Sequence, residues 1–441
     1  MPKVLKKMIP VLLWLLLWQA VSIIADNVII IAGPVDTVKR LYELMGDEFF
    51  YRSVFFSLAR ILSGLLISVF TAVIFAVIAY KYKPVKYFLK PMLGFIKSVP
   101  VAAVTVMLLI WWGADMLSFF VAFMVVFPAC YESVLTGLDE TDPKLLEMAG
   151  VYGIRGIKKA EYIYMPEVMP FVKSSLKSAV GMCFKACVAA EIIGLPASSI
   201  GEGIYDSKIV LDTAGVFAYT AVVIVLGVTF EFLAIKLLEC IRPRKVRGLK
   251  QYGVDHKEDF VLSVCGIGFG YDKNKTVIRD WNADYRSGET YFFTTPSGEG
   301  KTTRLHIIAG ILKPVQGYLR PSDYKASILF QDDRLLPYMN IYDNILLVSN
   351  EDDSDEIKSA TQYLIPDGAD KKVSELSGGM KRRASLLRAL FHESDILLLD
   401  EPFAGLDHDN IDKVKKIIEK YRNKRPVIIA THSDTEDKDN E

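Results

Sequence analysis

Residues 396–401, Ile-Leu-Leu-Leu-Asp-Glu, restrict the fold of this chain more than any other stretch. Four consecutive apolar residues mark a strand covered on both faces, as in a parallel sheet, and this strand delivers two acids, Asp400 and Glu401, at its carboxyl end. Open α/β sheets bind ligands at that edge. One carboxylate there can hold a divalent cation while its neighbour orients water, which is the division of labour that phosphoryl transfer needs. Upstream, Ser377, Gly378 and Gly379 open a segment, Met380 to Phe391, with Leu386, Leu387, Ala389 and Leu390 at helical spacing. A Ser-Gly-Gly turn at a helix start turns free amides outward and suits an anion. Either fragment alone is most often an ordinary loop or strand end.

A third fragment fits between strand and helix in Tyr291 to Leu312, where a glycine-bearing turn precedes a helix from Thr302. Backbone amides from Ser297 through Gly298 and Gly300 to Thr302 can wrap phosphates. Lys301 supplies a point charge, and the Thr302 hydroxyl can reach Mg2+. The pattern G-x-x-x-x-G-K-[ST] fails at its first position, Thr295, where a β-branched residue tolerates fewer backbone angles than glycine. A further apolar strand, Ser327 to Phe330, ends in Gln331-Asp332-Asp333-Arg334, and another, Val427 to Ala430, ends in Thr431-His432-Ser433.

Taken in order, Lys301, Gln331, Ser377, Asp400, Glu401 and His432 resemble the motifs of an ATP-binding cassette (ABC) ATPase. The resemblance implies an α/β P-loop nucleotide-binding fold that takes ATP and Mg2+. It implies ATP contacts from Ser297, Gly298, Gly300, Lys301, Thr302, Thr303 and Gln331, and from Ser377, Gly378, Gly379 and Asp407. It further implies Mg2+ contacts from Thr302, Gln331 and Asp400, and catalytic roles for Glu401, His432 and Lys301. An aromatic in Gly268-Phe269-Gly270-Tyr271 would stack on adenine. The register with Val277-Ile278 favours Tyr271 over Phe269, and a plain core aromatic is the alternative. Met380 stands where the family signature has Gln.

This ATPase part occupies the charge-rich end of a chain whose hydrophobic fraction reaches 51% and whose formal net charge is zero, so no global field argues for nucleic acid. The apolar excess lies ahead of it. Six runs, Met8 to Ala25, Phe55 to Tyr80, Leu93 to Trp112, Leu117 to Leu135, Ser175 to Leu195 and Ala214 to Leu238, each approach the ~20 residues a bilayer-spanning helix requires. Lys and Arg concentrate in alternate gaps, at 3–7, 81–90, 144–159 and 242–247, which the positive-inside rule places in the cytoplasm with both termini. The gap at 26–54 dilutes its Lys39, Arg40 and Arg52 with acids. Arg60 and Glu191, ionisable groups in or beside apolar runs, suggest structural pairing, with a place in a solute path as the alternative. Cys183 and Cys187, four residues apart, read as small core residues.

The basic gap LLEMAGVYGIRGIKKAEYIYMPEVMP places small residues between two short helical stretches, a helix-turn-helix able to lie close against another surface. With Glu147, Ala149, Gly153, Ile163 and Pro166 in place, it looks like the EAA loop of bacterial ABC importer permeases, departing at Met148 and Met165. The segments Ser57–Gly64, Lys97–Gly113 and Val188–Ser207 strengthen the likeness to sulfonate, taurine, nitrate and pyrimidine-precursor permeases over roughly residues 10 to 240.

The expected architecture is therefore a multi-pass, all-α transmembrane domain of six helices (1–240), a linker (241–258) and an ABC-type P-loop domain (259–441). The resemblance implies ATP-driven import of a small solute across the cytoplasmic membrane. Its partners would be a second copy or second half-transporter and an extracytoplasmic substrate-binding protein. Coupling would run through Glu147, Ala149, Gly153 and Pro166 to the loop of Gln331. The alternatives are an exporter or flippase, or an ATP-sensing regulatory half.

Overall fold

The structure is a computed structural model that describes residues 3–241, 245–246, 248, 260–272, 275–296 and 298–431. Most of the expected linker, together with Ser297 and His432, lies outside the described residues. Helices run through the first 240 residues: α1 (Lys3–Ala25), α2 (Pro34–Leu44), α3 (Glu48–Lys81), α4 (Lys83–Ser98), α5 (Val101–Trp112), α6 (Leu117–Asp139), α7 (Pro143–Val151), α8 (Gly156–Lys159), α9 (Met165–Gly194), α10 (Ile200–Ile209) and α11 (Thr213–Cys240). The chain separates into two compact units, one of residues 1–140 and 164–242, the other of 141–163 and 243–441.

In the helical unit, all six apolar runs form helix, but not as six equal spans. By length and composition α3, α6 and α11 can each cross a membrane, whereas the apolar part of α1, Ile9–Ala25, is shorter. The third run is not one helix as expected. It breaks between α4 and α5, which bend by 103°. Pro100 accounts for the break: it excludes helical angles at Val99, whose φ of −78° and ψ of 130° are extended. The fifth run begins within α9, which carries Lys173, Lys177 and Lys185 and so falls short of an apolar span.

The helical core forms where α6 packs against both α3 and α9. Small residues allow that approach: a Cβ at Gly64 would meet the Phe119 carbonyl oxygen at 2.6 Å, and one at Gly137 would meet the Val168 Cα at 2.7 Å. Glu191 is fully buried and accepts hydrogen bonds from Ser57 Oγ (2.7 Å), Ser118 Oγ (2.8 Å) and the Gly201 amide (3.3 Å). That satisfies a carboxylate costly to bury and ties α9 to α3, α6 and α10. Arg60 instead pairs with Asp115 at 3.2 Å. Cys183 and Cys187 are buried free thiols, in line with their reading as core residues.

The α/β unit holds two sheets. Strands β1 (Val261–Asp272), β2 (Lys275–Arg286), β3 (Thr290–Phe293), β4 (Gln316–Arg320), β5 (Ala326–Leu329), β6 (Ile396–Asp400) and β7 (Val427–Ala430) divide into an antiparallel sheet ordered β2-β1-β4 and a parallel sheet ordered β3-β7-β6-β5. Every residue of β5, β6 and β7 is buried, as their unbroken apolar runs require. Helix α12 (Lys301–Ile308) follows β3, and α13 (Ile341–Leu346), α14 (Ser354–Leu364), α15 (Gly378–Phe391) and α16 (His408–Tyr421) complete the unit. Because the four strands of the second sheet are parallel, their carboxyl ends collect at one edge.

Candidate nucleotide site and connector dock

β3 runs into the phosphate loop, whose Gly298 and Gly300 take φ of +92° and +83°, and the loop closes on α12. Those are the positions that demand glycine. Thr295 is not among the residues with positive φ, so its side chain imposes no left-handed strain, and its Oγ is buried without a hydrogen-bond partner. Lys301 is buried, and its Nζ donates to the Thr431 carbonyl oxygen at 2.9 Å, bridging to the end of β7. Thr302 Oγ donates to Asp400 Oδ2 at 2.8 Å across to the end of β6. Burial pushes the Asp400 carboxyl above the ordinary range, opposed by the Thr302 hydrogen bond.

Those groups fit a hydrated Mg2+: oxygen donors only, with one carboxylate held by a hydroxyl, and a burial penalty that a bound cation would relieve. Among the described residues no cluster of three or more His, Cys, Asp or Glu is positioned to hold a metal. Glu401, next in chain, has φ of +51°, and its amide donates to the Ala430 carbonyl oxygen at 2.8 Å. A non-glycine residue held in that region stores strain of about 1–3 kcal/mol, a cost met most often at functional sites.

Tyr271 is exposed at the end of β1 and its hydroxyl lies 3.1 Å from Thr303 Oγ, beside the phosphate loop, whereas Phe269 is buried in the core. Gly378 begins α15 with Ser377 as its N-cap, both exposed, and a Cβ on Gly378 would meet nothing within 4 Å. Asp407 caps α16 by accepting from the Asn410 amide at 2.9 Å.

The residues 141–163 pack into this unit beside Gln331. Lys144 pairs with Asp332 at 2.6 Å and Glu147 with Arg334 at 2.7 Å, so both ion pairs join the connector to the loop that follows β5. Arg334 stacks its guanidinium 3.9 Å from the Phe330 ring. Ala149 and Met148 are buried, and the aliphatic Met148 fills the dock in place of the alanine expected there. Pro166 belongs to the first turn of α9 in the helical unit.

Tyr152, which sequence reasoning passed over, is the centre of the dock. It is fully buried, donates from its hydroxyl to the Ile328 carbonyl oxygen on β5 at 2.7 Å, meets the His392 ring edge-on at 5.0 Å, and lies 5.1 Å from the Arg388 guanidinium carbon. Arg382 was missed as well. Buried at the start of α15, it donates to the carbonyl oxygens of Phe330, Gln331, Asp400 and Glu401, holding the ends of β5 and β6 together. The only sequence signal for either was an aromatic or an arginine amid small or basic neighbours.

Burial pushes the His392 imidazole down from 6.5 to about 4. Between those values the unfolded chain binds a proton that the folded chain refuses, so stability falls as pH drops through that window. Unfolding midpoints from neutral pH down to about 4 should therefore slope more steeply in the wild type than in His392→Gln. Equal slopes would remove His392 from the acid response.

A phosphate loop, an acid-bearing strand end and a Ser-Gly-Gly helix start on one parallel sheet define a nucleoside-triphosphatase of the ATP-binding cassette class. Residues 278–404 match the ABC transporter family, and residues 64–238 match the binding-protein-dependent transport system inner membrane component. The aliphatic sulfonates import ATP-binding protein SsuB 1 of Rhodococcus jostii is 35% identical over 178 residues, 39% of this chain and 72% of that protein. The taurine import ATP-binding protein TauB of Pseudomonas aeruginosa is 36% identical over 149 residues, 31% of this chain and 57% of that protein. Among solved structures, a putative ABC transporter ATP-binding protein from Pyrococcus furiosus aligns over 40% of this chain and 94% of its own, with 26% identity and a TM-score of 0.36.

The chain belongs to the ABC transporter family, with a permease component and its ATPase fused in one polypeptide. It is a membrane protein whose cassette hydrolyses ATP to drive transport.

Proposed function

We propose that this chain imports a small organic solute, fed by an extracytoplasmic binding protein, with both termini in the cytoplasm and the permease, linker and cassette divided at 1–240, 241–258 and 259–441. The observation that carries the reading is the dock of residues 141–163 beside the Gln331 loop, two ion pairs and a buried tyrosine deep. A connector anchored this firmly can convert motion of the nucleotide site into motion of the helices. Sulfonates or related small acids are the favoured cargo, by likeness to the sulfonate and taurine import proteins.

The site residues take these roles. Lys301 and the amides around Gly298, Gly300 and Thr303 hold phosphates, Tyr271 faces adenine, and Glu401 polarises the attacking water. Ser297 and His432 are assigned from sequence alone. Thr302, Asp400 and Gln331 would hold Mg2+, which supplies charge neutralisation between the phosphates. The exposed Gly378 and the half-buried Gly379 at the start of α15 would meet a phosphate from a second copy, and a homodimer closes both sites by symmetry.

The test uses the full chain in proteoliposomes with cassettes outward, the binding protein and a labelled alkanesulfonate inside. An importer releases label to the bath on addition of ATP. ATP-driven uptake into the lumen of label supplied in the bath to the same vesicles would establish an exporter instead. Lys301→Ala should lower ATPase and release together by about a hundredfold, because the phosphates lose their charge partner.

A further inference from the structure

Helix α4 divides its surface into three strips. Leu89 and Leu93 are buried in the helical core. Phe88, Met92 and Phe95, at i, i+4 and i+7, turn another way, and with Tyr87 they stand exposed. Lys83, Lys86, Lys90 and Lys97 fall on a third line, spaced by three, four and seven residues. Two of these lysines are paired, Lys86 with Asp139 at 2.6 Å and Lys97 with Glu132 across a cavity of about 570 Å³ beside α6 and α9. Lys83 and Lys90 are exposed and, among the described residues, pair with no acid. The same holds for Lys81, the last residue of α3, whose ammonium lies 5.3 Å from the Tyr82 ring.

The direction of α4 matches that surface. α5 is apolar but for Thr105, and α4 bends 103° away from it, so α4 runs across the bilayer where α5 runs into it. α3, long and apolar enough to span, ends at Lys81, and Tyr82 alone separates it from α4. Asp139, the partner of Lys86, is the last residue of α6, and two residues later the chain enters the cassette unit. α4 therefore lies at the membrane face from which the chain passes to the cassette. An apolar strip flanked by unpaired lysines is the pattern of a helix in a membrane interface, with its rings among acyl chains and its ammonium groups at the phosphates.

We propose that α4 is an interfacial helix that selects anionic phospholipid on the cassette side of the membrane, with Lys81, Lys83 and Lys90 taking the headgroup phosphates. Charge complementarity decides the occupant. A zwitterionic headgroup brings its own ammonium, whereas three lysines within ten residues and without an acid call for net negative charge. A second copy seated on this face by two-fold symmetry would bring the same lysines together, and they would repel. Held by headgroups, α4 steadies the end of α6 through the Lys86–Asp139 and Lys97–Glu132 pairs.

The test uses the full chain in phosphatidylcholine nanodiscs that contain a small fraction of lipid with a nitroxide quencher on its acyl chain. In a background with Cys240→Ser and Cys265→Ser, Phe88→Cys carries a fluorophore. Nitroxide phosphatidylglycerol should quench it at least about fivefold more strongly than nitroxide phosphatidylcholine at low salt. That ratio should approach unity in about 1 M salt, and also in the triple variant Lys81→Gln, Lys83→Gln and Lys90→Gln. Equal quenching by the two lipids in the parent would make α4 an unselective lipid contact and overturn the proposal, as would selectivity that survives the triple variant. Quenching by neither lipid would show the face covered by protein, a second copy included, and would overturn it too. Phe95→Cys repeats the measurement if Phe88→Cys does not fold. No outcome bears on the direction of transport, which the proteoliposome assay decides.

Discussion

Glu401→Gln should lower ATP turnover by at least about a hundredfold while the KM for ATP stays within about threefold. The substitution keeps the side chain's size and its position at φ +51°, and removes only the charge that polarises water. The phosphate loop, Lys301 and the Thr302–Asp400 contact are untouched, so nucleotide should still bind. A steady-state phosphate-release assay paired with nucleotide binding measures both quantities. Turnover near wild type would take the general-base role from Glu401. A large rise in KM with turnover kept would assign it to binding.

Tyr152→Ala should release the connector from the cassette. Truncating a fully buried aromatic side chain costs about 3–5 kcal/mol in a core, and here the loss also strands the Ile328 carbonyl bond and the face presented to His392 and Arg388. Amides of residues 141–163 should then exchange hydrogen far faster than in the parent, and ATP-driven transport should disappear while ATPase activity persists. Tyr152→Phe removes only the hydroxyl, costs about 1 kcal/mol, and should keep transport. Transport retained in Tyr152→Ala would place the coupling contact in the ion pairs Lys144–Asp332 and Glu147–Arg334 instead.

The Tyr152 dock also explains a limit of sequence reading. Glu147, Ala149 and Gly153 were legible because their spacing resembles a known loop, yet none names what the loop touches. Tyr152 looked like one aromatic among several, since burial of a loop residue depends on the surface it meets, not on its neighbours in the chain. Arg382 was hidden for the same reason. Its four carbonyl partners come from the ends of two strands, one of them more than fifty residues before Arg382, and only parallel pairing of β5 with β6 brings them within one guanidinium's reach.

The sequence by itself determined the elements that depend on local pattern. Unbroken apolar runs dictated the buried strands at 326–329, 396–400 and 427–430, since such runs are stable only with both faces covered. Apolar length dictated α3, α6 and α11, since a bilayer demands it. Tertiary structure alone decided the 103° elbow at Pro100, where packing fixes the direction a broken helix takes. It also decided the grouping of residues 141–163 with the cassette, and the Lys97–Glu132 pair across the cavity. Those are distances between residues far apart in the chain, and they follow from how helices and strands bury one another, which no local spacing encodes.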